Sequence, residues 1–416
     1  MDSALKPDLP KLLAAMLANA AGCSPYYRDQ AWAKGVRQGT SIALKDIPIT
    51  PKSVVRASTQ RFYNPNVPPS EGRIHTYMTS GSTGQPMEVR HTERSNKISV
   101  FENNRLLRGW NIPEHRFAAV VRNPTLRDPQ GTIRELRQQS GTLLRTLHSG
   151  DVQEAFDFIT RTGASLLYSG PQMALGILQH ASTSGVTLPL RLIVTVSEVV
   201  PEQLRAIVSE LPTCRMVDKY SSIETGIIAT QCSSCGAYHP ADRLSMVEIL
   251  DDGGRPAPAG KLGRVIVTPL YNMAMPLVRY ETGDYAVVSA GPPCPESTLS
   301  LDRIVGRERN LFKLPTGEPI MPWVDPKRAQ MLGLQQYKLI QRTLSDIEFL
   351  YIPVDGAAEL AQRQAQDVID RCMAPGFRVI PIKVSELPRA ASGKYLMHEC
   401  LVAATMGPSP AKAQQS

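Results

Sequence analysis

The chain has 416 residues, 42% of them apolar, and a net charge of +8. That length allows a substantial core and two or three domains. The 46 Lys and Arg are spread rather than gathered into runs and only 6% of residues are aromatic, which argues against a nucleic-acid partner and for an anionic small-molecule substrate. No stretch approaches the ~18 uncharged apolar residues of a membrane span. The start, MDSALKPDLPKLLAAMLANA, lacks the basic and apolar regions of a secretion signal, so no membrane association and a cytoplasmic location are expected.

In chain order, Leu9 to Ala21 reads as an apolar helix and PNVPPSEG as turns, together an accessory layer. The stretch TSGSTGQP (79–86) follows. Its glycines let backbone N–H groups converge and its hydroxyls add donors, which suits phosphate oxygens. It lacks the GK[ST] ending of a Walker loop, and taken alone an ordinary surface turn stays open. Helical spacing from Thr92 to Trp110 predicts that the loop leads from a strand through a turn toward a helix.

Short apolar runs, FAAVV (117–121), SLLYS (165–169) and LRLIVTV (190–196), alternate with helical stretches such as QMALGILQHAS. This predicts α/β architecture with partly parallel sheets. LSMVEILDDGGRPAPAGKLGRVIVTPL then reads as strand, turn, strand. Beyond GRERN (306–310), a strand-like IEFLYIPV, a helical AAELAQRQAQDVIDRCM and a strand-like FRVIPIKV predict a small βαβ-type domain. The expectation is thus a large N-terminal domain with several sheets (1–306) and a small, mobile α+β C-terminal domain (307–416), ending in a disordered tail.

Seven cysteines argue against a disulfide scaffold. Cys23, Cys214, Cys372 and Cys400 stand alone, but CSSCGAYH (232–239) and the distant Cys294 supply three thiolates and an imidazole, the donor set of a closed zinc site. A redox-active CxxC pair is the rival reading, and it leaves His239 and Cys294 unexplained.

Four further segments complete the pattern: KYSSIETG (219–226), LVRYETGD (277–284), GRERNLFK (306–313) and PRAASGK (388–394). With TSGSTGQP, they resemble the ordered core motifs of the adenylate-forming acyl-CoA synthetase superfamily, and the short length and Cys/His insertion are most similar to its phenylacetate-CoA ligase branch. The resemblance covers roughly Met78 to Lys394.

It implies that Thr79, Ser80, Gly81, Ser82, Thr83 and Gly84 wrap the ATP phosphates. Tyr220 would stack on adenine beside Ser221, Glu224 would hold Mg²⁺, and Thr225 would sit near the phosphates. Asp284 and Arg307 would hold the ribose, and Lys394 would bridge the carboxylate and the α-phosphate. Gln85 stands where the family usually has Lys, and Arg309 where it commonly has Asp. The same resemblance assigns Cys232, Cys235, His239 and Cys294 to a structural Zn²⁺. It places the acid beside Tyr168, Ser169, Gly170, Pro171, Ser197 and Glu198; the family often has Gly at the position of Ser197. Arg122, Asn123 and Arg127, after FAAVV, face either the site or solvent.

The implied reaction activates a small aromatic carboxylic acid as acyl-adenylate, then transfers it to the thiol of coenzyme A with release of AMP, the small domain swinging about the GR hinge between the two steps. A carrier-protein thiol or an amine is the alternative acceptor, and a nucleotide-binding protein that has lost catalysis is the third reading. A homodimer completes the partner expectations.

Overall fold

In the computed structural model the described residues are 8–79, 86–108, 110, 117–122, 130–137, 143–307, 311–316, 319–320, 322, 324, 326–354, 356–388 and 397–402. Contacts divide them into two compact units that part after Gly306. The architecture is α/β, with a multi-sheet larger unit and a smaller unit that combines helices with a four-stranded sheet. No helix among the described residues is long and apolar enough to cross a membrane.

The larger unit opens with helices α1 (Leu9–Cys23), α2 (Ala31–Arg37) and α3 (Lys52–Ala57). Strands β1 (Ile74–Met78) and β2 (Glu88–Thr92) then form an antiparallel pair, followed by helix α4 (Glu93–Arg108). TSGSTGQP therefore spans the end of a hairpin, and the helix begins only after β2. Five residues of mixed polarity, EVRHT, carry too short an alternation to declare a strand beside so strong a helical pattern.

The main sheet contains β3 (Phe117–Arg122), β4 (Thr132–Arg137), β5 (Leu143–His148), β6 (Leu166–Ser169), β7 (Leu192–Val196), β8 (Arg215–Ser222), β9 (Gly226–Gln231), β10 (Tyr238–Pro240), β11 (Ser245–Leu250) and β12 (Leu262–Pro269); of these β3, β6 and β7 fall on the apolar runs and β11 and β12 on the expected strand–turn–strand segment. β13 (Tyr280–Val288) and β14 (Leu301–Arg307) complete it. The order across this twelve-stranded sheet is β11-β12-β13-β14-β10-β9-β8-β7-β6-β3-β5-β4. Strands β5, β3, β6, β7 and β8 are mutually parallel, joined by helices α5 (Val152–Thr162), α6 (Pro171–Thr183) and α7 (Glu202–Glu210).

Local chemistry sets these crossovers. Asp151 caps α5 by accepting from the Glu154 amide at 2.8 Å, and Gly163 ends the helix in the left-handed region at φ 61°. Helix α5 turns Ala155, Phe158 and Ile159 onto Leu167, Ile193 and the buried face of α6. Because β3 is flanked by β5 on one side and β6 on the other, strand order reverses there. Open α/β sheets bind ligands in the crevice outside the carboxyl ends of strands at such a switch point.

The N-terminal layer is fastened to the antiparallel half by hydrogen bonds. The Thr50 amide donates to the Arg279 carbonyl at 2.9 Å, and the Glu281 amide to the Thr50 carbonyl at 3.0 Å. Arg279, 5% exposed and at φ 46°, forms a fork on Glu248 at 3.0 and 2.9 Å and donates to the carbonyls of Lys45 and Ile47. Tyr27 is fully buried in the same seam, where its hydroxyl meets Thr50 and accepts from the Val278 amide.

In the smaller unit β15 (Phe312–Lys313) pairs with β16 (Pro319–Ile320), and helix α8 (Pro326–Met331) precedes β17 (Leu334–Gln341). β18 (Asp346–Pro353), helix α9 (Gln362–Cys372) and β19 (Arg378–Lys383) form a βαβ unit with the two strands parallel, and β20 (His398–Cys400) closes the sheet in the order β19-β18-β17-β20. The Ala365, Val368 and Ile369 face of α9 packs on Phe349 and Val379.

Arg279→Ala should lower unfolding stability by about 3 kcal/mol, since it strands Glu248 and two carbonyls. Denaturant unfolding checks this; a loss within about 0.5 kcal/mol, the range of ordinary surface changes, would show that Arg279 does not hold the N-terminal layer.

Candidate functional site

The parallel part of the sheet ends at β8, and the chain turns back antiparallel as β9 through Ile223, Glu224 and Thr225. KYSSIETG is therefore a β-hairpin. Gly226 takes the left-handed conformation at φ 78°, and the Ser222 hydroxyl receives the Thr225 amide at 3.1 Å and meets its hydroxyl at 2.9 Å. A register shift between Tyr220 and Ser221 separates the ring from the turn that follows it.

Tyr220 and Asp284 come together: the phenol donates to Asp284 Oδ2 at 2.7 Å. Burial and the Asp284 carboxylate hold this phenol protonated, well above the usual tyrosine range. The Asp284 amide in turn donates to Thr282 Oγ1 at 3.1 Å, so the side chain stands at a fixed turn in β13.

Glu224 is 4% exposed, and its Oε1 takes Lys52 Nζ at 3.0 Å and the Tyr280 hydroxyl at 3.2 Å. Burial alone would raise its pKa; the Lys52 charge and these hydrogen bonds outweigh burial and hold the carboxyl below its ordinary value. Lys52 Nζ also donates to the Thr282 carbonyl at 3.1 Å. Lys52 is a component that motif reading misses, because it stands 172 residues before its partner and an isolated lysine carries no signal; Tyr280 lies within LVRYETGD, where the motif marks Asp284 and not the tyrosine.

Between β1 and β2 the backbone closes just outside the glycine-rich loop. The Thr79 amide donates to the Met87 carbonyl and the Met87 amide to Thr79 Oγ1, each at 2.9 Å. From β2, His91 Nε2 donates to the Ile223 carbonyl at 2.7 Å, linking the loop's hairpin to the Glu224 turn. Burial lowers the pKa of that imidazole. Ser80, Gly81, Ser82, Thr83, Gly84, Gln85, Asn123, Arg127, Arg309 and Lys394 lie outside the described residues, as does the Arg307 side chain at the end of β14.

The residues expected around the acid fall at the carboxyl ends of β6 and β7. Val120, Tyr168, Val194 and Val217 make one row across β3, β6, β7 and β8. Tyr168 accepts from Asn103 Nδ2 of α4 at 3.0 Å, and burial pushes its phenol up to about 12, moderated by that hydrogen bond. Ser169 alternates to the opposite face, buried, its hydroxyl donating to the Gly170 carbonyl at 3.1 Å. Gly170 caps α6 ahead of Pro171, and the Glu198 carboxylate lies 3.9 Å from where a Cβ at Gly170 would stand. Ser197 has φ 74°, a region costly to residues other than glycine.

The fold also gathers Cys232, Cys235, His239 and Cys294, whose donor atoms all lie within 4.8 Å of one another. A tetrahedral zinc with ~2.3 Å bonds to sulfur separates its ligands by roughly 3.8 Å, so the set fits. The Ser234 amide donates to Cys232 Sγ at 3.3 Å, fixing the turn of the knuckle. In the smaller unit, buried Lys338 donates to the Pro388 carbonyl at 3.1 Å and pairs with Glu399 at 2.8 Å, anchoring the chain on both sides of residues 389–396.

The switch-point sheet with its antiparallel half, and a small α+β unit, make up a fold that the chain shares with solved acyl-CoA ligases. Among solved structures the chain is similar to a 2-hydroxyisobutyryl-CoA ligase in the postadenylation state with R3-HIB-AMP, at 17% identity and a TM-score of 0.74, covering 95% of this chain and 89% of that one. It is similar to an anthranilate CoA ligase in complex with anthranoyl-AMP (19%, TM-score 0.56, 77% of this chain and 65% of that one). An amide bond synthetase from Marinactinospora thermotolerans also shares the fold (15%, TM-score 0.56, 76% and 66%). No protein-family model matches the sequence, and no curated protein matches it significantly.

Because the folded pKa of Glu224 is depressed, the ion pair's contribution is complete above the unfolded value of ~4.3 and is lost as pH falls through the folded value. Removing Lys52 leaves burial dominant and reverses the sign. Lys52→Met should cost about 3 kcal/mol at pH 7, a deficit that shrinks as pH falls toward 4. Unfolding curves across pH check this, and a deficit independent of pH would contradict it.

Proposed function

We propose that the protein activates a carboxylic acid with ATP as an acyl-adenylate and passes the acyl group to the thiol of coenzyme A. The observation that carries this reading is the Tyr220–Asp284 hydrogen bond between β8 and β13 together with the charge-paired Glu224 in the turn after β8, in the fold of the acyl-CoA ligases. A carboxylate oxygen attacks the α-phosphorus and pyrophosphate leaves; the thiolate then attacks the acyl carbon and AMP leaves. No side-chain nucleophile is required.

Each residue has a task in that scheme. Tyr220 presents a ring to adenine while its hydroxyl orients Asp284 for the ribose hydroxyls, joined by Arg307. Residues 79–84 would hold the phosphates, and Thr225 and Ser221 would contribute to the same site. Glu224 would hold magnesium through the oxygen not engaged by Lys52, and a magnesium ion there offsets the charge of the triphosphate. Lys394 supplies the ammonium for the carboxylate and α-phosphate. Cys232, Cys235, His239 and Cys294 would hold a structural zinc that ties the β9–β10 turn to the segment before β14.

The phenylacetate-CoA ligase-like character and an aromatic acid rest on the motif resemblance, and the anthranilate CoA ligase fold neighbour supports the latter. The amide bond synthetase of the same fold favours one second reading, transfer to an amine; product analysis with coenzyme A and amines side by side separates the two.

Acid-dependent exchange of pyrophosphate into ATP is expected. Lys394→Ala should cut it by two or more orders of magnitude while sparing thiol transfer from supplied acyl-adenylate; equal loss in both steps would remove the assigned role. Purified protein should carry one zinc per chain, and Cys232→Ser should lower its thermal stability. Fully folded, zinc-free protein would contradict the metal assignment.

A further inference from the structure

The row beyond Tyr168 has an unusual composition for the end of a parallel sheet. Two residues along each strand from the row that contains Tyr168 stand Arg122 on β3, Gly170 after β6, Val196 on β7 and Lys219 on β8. Alternation puts them on the same face as Tyr168. The exposed Arg122 and the half-buried Lys219 therefore flank a floor made of a glycine and a valine. With strands ~4.8 Å apart, their backbones are separated by roughly 14 Å, a span that two long side chains narrow.

Lys219 is not placed there by a counter-ion. Its Nζ donates to Asn103 Oδ1 at 3.0 Å and lies 5.4 Å from the centre of the Tyr168 ring, and among the described residues no carboxylate pairs with it. One of three N–H donors is thus used by a neutral acceptor. Burial, and then the charge of Arg122, lower its pKa to about 8, so the site tolerates the cation at a cost that an anionic ligand would reverse. The Tyr168 hydroxyl, which already accepts from Asn103, retains its own proton to donate. The Glu198 carboxylate lies beside this floor at Gly170.

Position ties this cluster to the chemistry. Lys219 immediately precedes Tyr220, and alternation sends the two side chains to opposite faces of β8. The cluster sits at the carboxyl ends of the strands beside the switch point, where an acid would lie with its reacting carboxylate toward the nucleotide.

We propose that the activated substrate carries a second acidic group, a carboxylate or an equivalent anion, whose distal charge is held by Lys219 and Arg122 with Asn103 and Tyr168 fixing the lysine. This deepens the adenylation reading and rests on it. A monoacid would leave two cations facing an apolar end; a diacid of the right length pairs them.

The test is pyrophosphate exchange with matched acids that differ only in the distal group: terephthalate against 4-methylbenzoate, isophthalate against 3-methylbenzoate, and adipate against hexanoate. Wild type should prefer a diacid. Lys219→Met should lower its kcat/KM on the order of tenfold to a hundredfold and raise that of the matching monoacid, reversing the order, while Lys219→Arg keeps the diacid preference. Thermal unfolding of each variant without ligand establishes that it is folded, and the rise in Tm on adding each acid provides a second readout. Monoacid preference in wild type, or a diacid preference untouched by Lys219→Met, would overturn the proposal. If no acid supports exchange but a diacid raises Tm only when Lys219 is present, the anion site stands and the adenylation reading falls; absence of both effects overturns the anion site as well.

Discussion

A carboxylate with only 4% of its surface in water stays ionised where an opposite charge reaches it, and at Glu224 that charge comes from residue 52. The constraint reaches back through the N-terminal layer. Thr50 is stitched into β13 on both sides, Tyr27 fills the space behind it, and Arg279 ties the preceding carbonyls to Glu248. Lys52 is two residues past that seam. What looks like an accessory layer of helices is thus the support that delivers one ammonium group to the turn of β8 and β9.

Around that turn the sheet changes character. Parallel pairing brings β6, β7 and β8 to one level at their carboxyl ends, and the return through β9 converts the sheet to antiparallel pairing. The two halves supply different chemistry. From the antiparallel half come Asp284, Thr282 and Tyr280, which hold Tyr220 and Glu224; from the parallel half come Tyr168, Gly170 and Lys219. The donor atoms of Cys232, Cys235, His239 and Cys294 gather beyond the far end of β9, while Lys52 and His91 bond the turn itself.

Much of this was legible in the sequence where the signal was local. The apolar runs 117–121, 165–169 and 190–196 are strands of one sheet, the DDGG turn joins two antiparallel strands, and IEFLYIPV, the helix after it and FRVIPIKV form a βαβ unit. The order of the motifs named the fold. Illegible were the parts that depend on distant pairing. Nothing near Lys52 marks it as a partner for Glu224, and β2 was hidden by the stronger periodicity of α4. Lys219 opens the KYSSIETG segment, where the motif gives it no role; its meaning required the register that sets it level with Arg122 and Gly170.

Under the proposed reaction a carboxylate oxygen attacks the α-phosphorus of ATP. The most direct measurement supplies an acid labelled with oxygen-18 in its carboxylate, together with ATP, magnesium and coenzyme A, and follows the label by mass spectrometry. Attack at the α-phosphorus predicts one labelled oxygen in AMP for every thioester formed, with none in pyrophosphate. Label in inorganic phosphate with ADP as the nucleotide product would place the attack at the γ-phosphorus and contradict the account.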